Sequence, residues 1–206
     1  LLLAFNPQLG EIYILIMLVD FWWFVSDNFI SFDITSSRPR YSTSRVILET
    51  FVALIGFIGI SMVFVSGAGT QSVFQLLATA TPVLKDNMIL TLFAWGFFVP
   101  LIETSFFNGR LLEGLTTYTK ELLKYDVSVN RFSIGLFGII FFVAALFTLF
   151  HFTAKGLESA PLLITFLFSV ISSVLVIRHQ ELRGAILLHV IVNSAAVISS
   201  PAFKLF

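Results

Sequence analysis

Long apolar runs alternate with short polar segments along this chain of 206 residues. A run of roughly 20 apolar residues is long enough to cross the hydrocarbon core of a bilayer as a helix. The pattern predicts six such spans, which occupy residues 11–26, 46–66, 87–114, 132–152, 159–177 and 185–199. We therefore expect an all-α, polytopic membrane helical bundle in which residues 1–206 form a single domain.

Two segments between the predicted spans have a different pattern. Residues 71–84 are moderately apolar and follow a glycine-containing helix breaker at 67–69, which favours a short interfacial or re-entrant helix. Residues 113–126 set leucines against lysines and a glutamate at helical spacing. That second pattern is typical of an amphipathic helix on a membrane surface.

The composition supports the membrane interpretation and excludes several classes of protein. The chain is 57% hydrophobic and only 12% charged, whereas a soluble domain carries about twice that share of charged residues. The net charge is zero, which argues against nucleic acid as a partner. The chain has no cysteine, so disulfides, thiolate metal ligands and a cysteine nucleophile are excluded.

The distribution of Lys and Arg predicts how the chain is oriented. Eight of the 12 lie in the linkers that follow the first, third and fifth spans, and a ninth, Arg110, lies near the end of the third span. Positive residues concentrate on the cytoplasmic side of membrane proteins. We therefore expect these linkers in the cytoplasm and both termini outside, in a prokaryotic cell membrane.

Four polar side chains interrupt the apolar runs and are the candidate site. Glu103 lies three residues after Pro100 in the third span. An ionised side chain at membrane depth costs roughly 2.5–3.5 kcal/mol on insertion scales, so such a residue usually faces a polar cavity and has partners. His151 ends the fourth span. His189 and Asn193 lie four residues apart in the sixth span and so project from one helix face.

These residue types suit hydrolysis of an amide inside the membrane. A glutamate and a histidine can hold and deprotonate a water, and a histidine and an asparagine can donate hydrogen bonds to an oxyanion. A metal site is the competing arrangement, because Glu103, His151 and His189 also suit zinc. The chain has no H-E-x-x-H motif, and the three groups lie on separate helices, so we expect no cofactor. Each residue alone can instead cap or cross-link helices.

The order and context of these residues resemble the CPBP family of intramembrane proteases, which includes the type II CAAX prenyl endopeptidases. The first family motif is Glu-Glu-x-x-x-Arg, the second is Phe-x-x-x-His, and a later one is His-x-x-x-Asn/Asp. The similar segments here are residues 103–109, 147–151 and 189–193. The resemblance covers about residues 90–199, or half of the chain.

The resemblance implies an all-helical core with a cavity open toward the cytoplasm. Glu103 would be the base that activates water, and His151 would help to hold that water. His189 and Asn193 would stabilise the oxyanion. The family's chemistry is usually described as driven by the glutamate without an obligatory metal.

Two positions depart from the family's first motif. Thr104 replaces the second glutamate and Asn108 replaces the arginine, while Arg110 lies two positions later on another helix face. The lost glutamate would normally support the electrostatics of the site and orient a histidine. Threonine carries no charge but can still hydrogen-bond. Loss of such a supporting residue weakens metal sites by roughly 10–100-fold, so both an active protease and an inactive relative are consistent with the sequence.

The predicted topology raises a geometric difficulty. Glu103 and His189 would lie toward the cytoplasmic half of the membrane, whereas His151 would lie roughly 28 Å along a helix that starts at residue 132. Either this span starts nearer residue 139, or it is tilted or broken, or the four residues do not form one site.

Three functions follow from these observations. The leading hypothesis is an intramembrane endopeptidase that acts on a peptide or a membrane-anchored protein, in contact with membrane lipid. The alternative is a catalytically inactive relative that serves as an accessory or scaffold subunit among other membrane subunits. A small transporter is the third hypothesis, and no internal repeat supports it. Outside the candidate site, we expect Asp20 and Glu49 to be interfacial or paired and His179 to be solvated.

Overall fold

The computed structural model describes residues 41–65, 73, 88–123, 134–155 and 159–199. Within this part of the chain there are five helices and no strand. They are α1 (Thr43–Val65), α2 (88–123), α3 (Ile134–Lys155), α4 (Ser159–His179) and α5 (Arg183–Ile198). The predicted all-α membrane bundle is confirmed, and each of the last five predicted spans contains a helix. The first predicted span and most of the segment 71–84 lie outside the described residues.

Among the described residues, three stretches of helix are long and apolar enough to cross a membrane: Thr43–Phe64, Ile89–Thr119 and Ala160–His179. The apolar stretches Gly135–His151 and Arg183–Ile198 are shorter. The orientation in the membrane and the prokaryotic setting stay predictions.

Helix α1 contributes one narrow face to the protein core. Its buried side chains recur at helical spacing and are Val46, Thr50, Phe57 and Ser61. The opposite face is apolar yet exposed, and includes Leu48, Val52, Ile55, Met62 and Val63. A helix that is apolar on all sides but buried on one suits a position at the edge of a bundle, where its outer face contacts lipid tails.

Helix α5 lies at the centre of the bundle. It packs against α1, against α4 and against the first half of α2, while α3 packs along α4. Leu188, His189 and Val192 of α5 are all buried. The sixth predicted span, which is the shortest, therefore places its polar side chains in the core rather than toward lipid.

Helix α2 is much longer than a bilayer is thick. At 1.5 Å per residue its 88–123 stretch measures about 54 Å, against about 30 Å for the hydrocarbon core. The residues up to Leu123 of the predicted surface helix 113–126 are the end of α2 rather than a separate element. Their leucines and charged residues continue a helix that extends well beyond Glu103.

This extension removes the difficulty over the depth of His151. Helices α2 and α3 run antiparallel, because Glu103 lies beside His151 and Phe107 beside Phe147. The same register pairs the start of α3 with a residue near the end of α2. Helix α3 must therefore run roughly 17 residues, or about 26 Å, before it is level with Glu103. Of the alternatives that the sequence left open, a start of this span near residue 139 was wrong, because α3 begins at Ile134 and still places His151 beside Glu103.

Candidate active site

Glu103 and Thr104 lie in a short α-helical segment between two π-helical turns of α2. The segment is Val99–Thr104, and the π-helical turns are Leu92–Phe98 and Ser105–Leu111. A π-helical turn is wider than an α-helical one, is rare, and is frequent at functional sites. The sequence offered one signal for this irregularity, since Pro100 stands inside an otherwise helical run.

Pro100 leaves backbone carbonyls of α2 for other donors, and α5 supplies them. Proline has no N–H to donate to Gly96, four residues earlier, and the N–H of Val99 goes to Ala94. Asn193 Nδ2 donates to the carbonyl of Trp95 at 3.2 Å, and Ser194 Oγ donates to that of Gly96 at 3.2 Å. These two bonds hold α5 against the irregular part of α2, one helical turn from His189.

Three of the four predicted site residues lie together in the structure. Glu103 Oε2 is 3.5 Å from His189 Nε2 and 3.8 Å from His151 Nε2. The side chains of Glu103 and His151 are 14% and 21% exposed, whereas that of His189 is 4% exposed. A carboxylate therefore lies between two imidazoles in the bundle, and the imidazole of His151 is the more exposed of the two.

The hydrogen bond of His151 fixes which of its nitrogens carries the proton in the neutral ring. His151 Nδ1 lies 2.8 Å from the carbonyl oxygen of Phe147, which can only accept. Nδ1 therefore donates, and Nε2 of the neutral imidazole presents a lone pair toward Glu103. The ring also packs on Phe147, with centroids 4.4 Å apart. The Phe-x-x-x-His motif thus positions the imidazole through both the backbone and the side chain of Phe147.

His189 is held by a hydroxyl and by two aromatic rings. Thr104 Oγ1 lies 2.9 Å from His189 Nδ1. The rings of Phe168 and Phe147 lie 4.7 Å and 5.9 Å from the imidazole, centroid to centroid. Thr104, one of the two departures from the family's motif, therefore contacts a predicted site histidine directly.

The second departure is also satisfied by hydrogen bonds. Asn108 is 4% exposed, donates to Ser173 Oγ at 3.0 Å and accepts from Ser172 Oγ at 3.4 Å. A glutamate and an arginine at these two positions would carry opposite charges, so their joint replacement by Thr104 and Asn108 leaves no buried charge unbalanced. A buried charge that has lost its partner would destabilise the core strongly.

Asn193 is the fourth predicted site residue, and its amide nitrogen bonds the backbone of Trp95. Asn193 therefore cross-links α5 to α2, which is the structural role that the sequence also allowed for each of these residues. An amide nitrogen has two hydrogens, and the bond to Trp95 uses one of them.

The described part of the chain contains no group of three or more His, Cys, Asp or Glu side chains suited to hold a metal ion. Glu103, His151 and His189 lie close together but are not among such groups. We assign no step to a metal.

A polar cluster at one end of α4 departs from the sequence-based expectation. His179 is completely buried at its side chain and lies 2.9 Å from Glu49 through Nε2, so the prediction that it is solvated was wrong. Glu49 also accepts two hydrogen bonds from Arg178. The absence of a side chain at Gly184 makes room for the His179 ring, because a Cβ at position 184 would lie 2.8 Å from His179 Nδ1. The cluster joins α1 to the α4–α5 turn, which no local pattern could indicate.

A comparison with family models finds a match over the region that contains the candidate site. The family model described as type II CAAX prenyl endopeptidase Rce1-like matches residues 85–195, which is more than half of the chain. That interval contains all four predicted site residues, and both departures from the motif. No curated protein and no solved structure matches the chain.

Proposed function

This chain belongs to the type II CAAX prenyl endopeptidase Rce1-like family, and on that premise we propose that it is an intramembrane endopeptidase whose base is Glu103. The observation that carries the proposal is the position of the Glu103 carboxylate, within 3.8 Å of His151 Nε2 and 3.5 Å of His189 Nε2. The protein is a CAAX-protease-like membrane protein; the steps below are our proposal for its chemistry.

The nucleophile is a water held between Glu103 and His151. The carboxylate accepts hydrogen bonds, and Nε2 of the neutral His151 accepts as well, because Nδ1 donates to the carbonyl of Phe147. Two acceptors that share one water lie roughly 4 Å apart, and the 3.8 Å separation fits that arrangement. Such a water donates both hydrogens to the protein and turns its oxygen lone pairs toward a substrate carbonyl.

Attack then proceeds with a balanced transfer of one proton. The water oxygen bonds to the carbonyl carbon, Glu103 takes the proton, and the carbonyl electron pair becomes an oxyanion. His189 Nε2 and the second amide hydrogen of Asn193 donate to that oxyanion. Collapse of the tetrahedral intermediate breaks the C–N bond, and Glu103 returns the proton to the leaving nitrogen.

The substrate class that we propose is a peptide at the membrane that ends in a prenylated CAAX sequence, after the name of the family. The site lies among helices with apolar outer faces, and the access is on the side of His151, which is 21% exposed. A lipid-modified peptide can partition into the bilayer and reach such a site laterally.

The test is cleavage of a farnesylated reporter peptide by the purified full chain in liposomes. The reporter carries a fluorophore and a quencher on the two sides of the bond after the modified cysteine. Glu103→Gln keeps the size of the side chain and removes the base. We therefore expect the rate of cleavage to fall by about 10²–10⁴-fold, the usual contribution of general base catalysis. Glu113→Gln is the matched control on the same helix, and we expect it to cleave at the wild-type rate.

Cleavage by Glu103→Gln at the wild-type rate would show that Glu103 is not the base. If the wild-type protein cleaves no prenylated peptide but purifies with a stoichiometric membrane partner, the accessory-subunit hypothesis is favoured instead.

A further inference from the structure

We propose that Thr104 is a positioning residue: it donates to His189 Nδ1 and so supports, from the other side of the ring, the tautomer with its hydrogen on Nε2 that the Glu103 carboxylate favours. The inference rests on the proposed function, in which His189 donates a hydrogen bond to the oxyanion. It concerns the departure at position 104 from the family's motif. The hydroxyl at this position supplies an orienting contact of a different kind from that of a carboxylate.

The hydrogen bond of Thr104 differs from the local one that five other hydroxyl residues make in these helices. The hydroxyls of several buried or half-buried residues donate to the backbone carbonyl four residues earlier; they are Thr50, Ser105, Thr116, Thr148 and Thr165. That local bond is the usual one for Ser and Thr inside a helix. Thr104 is only 1% exposed, and its hydroxyl lies 2.9 Å from His189 Nδ1, 85 residues away in the chain.

The surroundings of His189 decide the direction of this hydrogen bond. Nε2 lies 3.5 Å from Glu103 Oε2, and a carboxylate can only accept. The neutral ring is therefore more stable with its hydrogen on Nε2, facing the carboxylate. Nδ1 is then the acceptor, and the Thr104 hydroxyl donates to it. Since a hydroxyl can donate as well as accept, it is compatible with this tautomer.

A carboxylate at position 104 would have the opposite effect. It can only accept, so it requires a hydrogen on Nδ1. The ring could then present a second hydrogen on Nε2 only as a charged imidazolium. With Thr104, a neutral His189 already has a donor aimed into the site. The replacement thus exchanges a charged oxyanion donor for a neutral one that does not require an additional proton.

The tautomer can be measured without any substrate. The full-length protein is prepared in lipid nanodiscs with ¹⁵N only in histidine rings, and nitrogen chemical shifts distinguish protonated from unprotonated ring nitrogens. The chain has 3 histidines, so His151→Gln and His179→Gln assign the spectrum by elimination. At a pH where the rings are neutral, we expect His189 to carry its hydrogen on Nε2. A hydrogen on Nδ1 in the wild-type protein would overturn the proposal, whatever the variants do.

Variants at position 104 link the tautomer to catalysis. Thr104→Val keeps the shape and removes the hydroxyl, so we expect a mixture of His189 tautomers. We also expect kcat to fall about tenfold, the factor for one lost hydrogen bond of about 1.4 kcal/mol. Thr104→Ser keeps the hydroxyl, and we expect both the wild-type tautomer and a kcat within about twofold of wild type. Thr104→Val with an unchanged tautomer and kcat would also overturn the proposal.

The two proposals fail in different experiments. Normal cleavage by Glu103→Gln would show that Glu103 is not the base, but it would not change the tautomer measured for His189 in the wild-type protein. A His189 hydrogen on Nδ1 contradicts the role of Thr104, yet leaves Glu103 as the base.

Discussion

The contact between Gly96 of α2 and Ser194 of α5 leads to a quantitative prediction. A Cβ added at position 96 would lie 2.8 Å from Ser194 Oγ and 3.4 Å from Ser194 Cα. Gly96→Ala must therefore displace the serine hydroxyl, which now donates to the Gly96 carbonyl at 3.2 Å. That hydroxyl is one of the two donors that hold α5 beside the irregular part of α2, so the substitution acts on the position of the helix that carries His189.

The expected magnitude combines three contributions. Overpacking at a tight contact costs about 1–3 kcal/mol. The lost hydrogen bond costs about 0.6–1.5 kcal/mol in a membrane protein. Replacing glycine by alanine inside a helix stabilises it by about 1 kcal/mol. We therefore expect Gly96→Ala to lose about 1–3 kcal/mol of unfolding free energy.

The assay is reversible unfolding of the purified protein in detergent micelles titrated with SDS. Gly138→Ala is the control, because Gly138 also lies inside a helix and a Cβ there meets nothing within 4 Å. We expect this control to be neutral or more stable by up to about 1 kcal/mol. The double variant Gly96→Ala/Ser194→Ala should be more stable than Gly96→Ala alone, since the new methyl group then meets no hydroxyl.

Two results would refute this reasoning. One is equal stability of Gly96→Ala and Gly138→Ala, which would show that the helices do not meet closely at Gly96. The other is a double variant less stable than Gly96→Ala, which would show that the serine hydroxyl is not the displaced group.

Two further predictions concern buried polar groups, with unfolding by SDS as the measurement. Asn108→Arg alone should lower the free energy of unfolding by about 3 kcal/mol or more, because the buried guanidinium lacks a partner. Adding Thr104→Glu should recover part of that loss, since residues four apart on a helix can form an ion pair. A double variant no more stable than Asn108→Arg would contradict this. Glu49→Leu should destabilise more than Arg45→Leu, because leucine cannot accept the hydrogen bond of the buried His179, whereas an exposed ion pair contributes at most about 1 kcal/mol. Equal losses would contradict the role of Glu49.

Local patterns indicated the candidate site because its residues are conspicuous in apolar surroundings. A glutamate or a histidine inside a membrane span is costly unless it has a partner, so Glu103, His151 and His189 could be selected before any distance was known. The spacing of His189 and Asn193 placed both on one face of a helix.

The pairing between distant segments could not be predicted in the same way. His179 follows Arg178 in a polar segment, and such a segment usually lies in water. Its burial depends on Glu49, which comes from another helix. The position of His151 relative to Glu103 was difficult to predict for a related reason, because it depends on the register between the antiparallel helices α2 and α3.

The sequence by itself determined the fold class, the membrane location and the family, because each depends on residue type and on spacing within one span. Hydropathy over about 20 residues is a local property, and so are the motifs around Glu103, His151 and His189. Only the tertiary structure decided that the hydroxyl of Thr104 bonds His189, and that Asn193 and Ser194 bond carbonyls near Pro100. Those contacts depend on the register and rotation of packed helices. Register and rotation are set by side-chain packing over the whole bundle, and no short stretch of sequence specifies them.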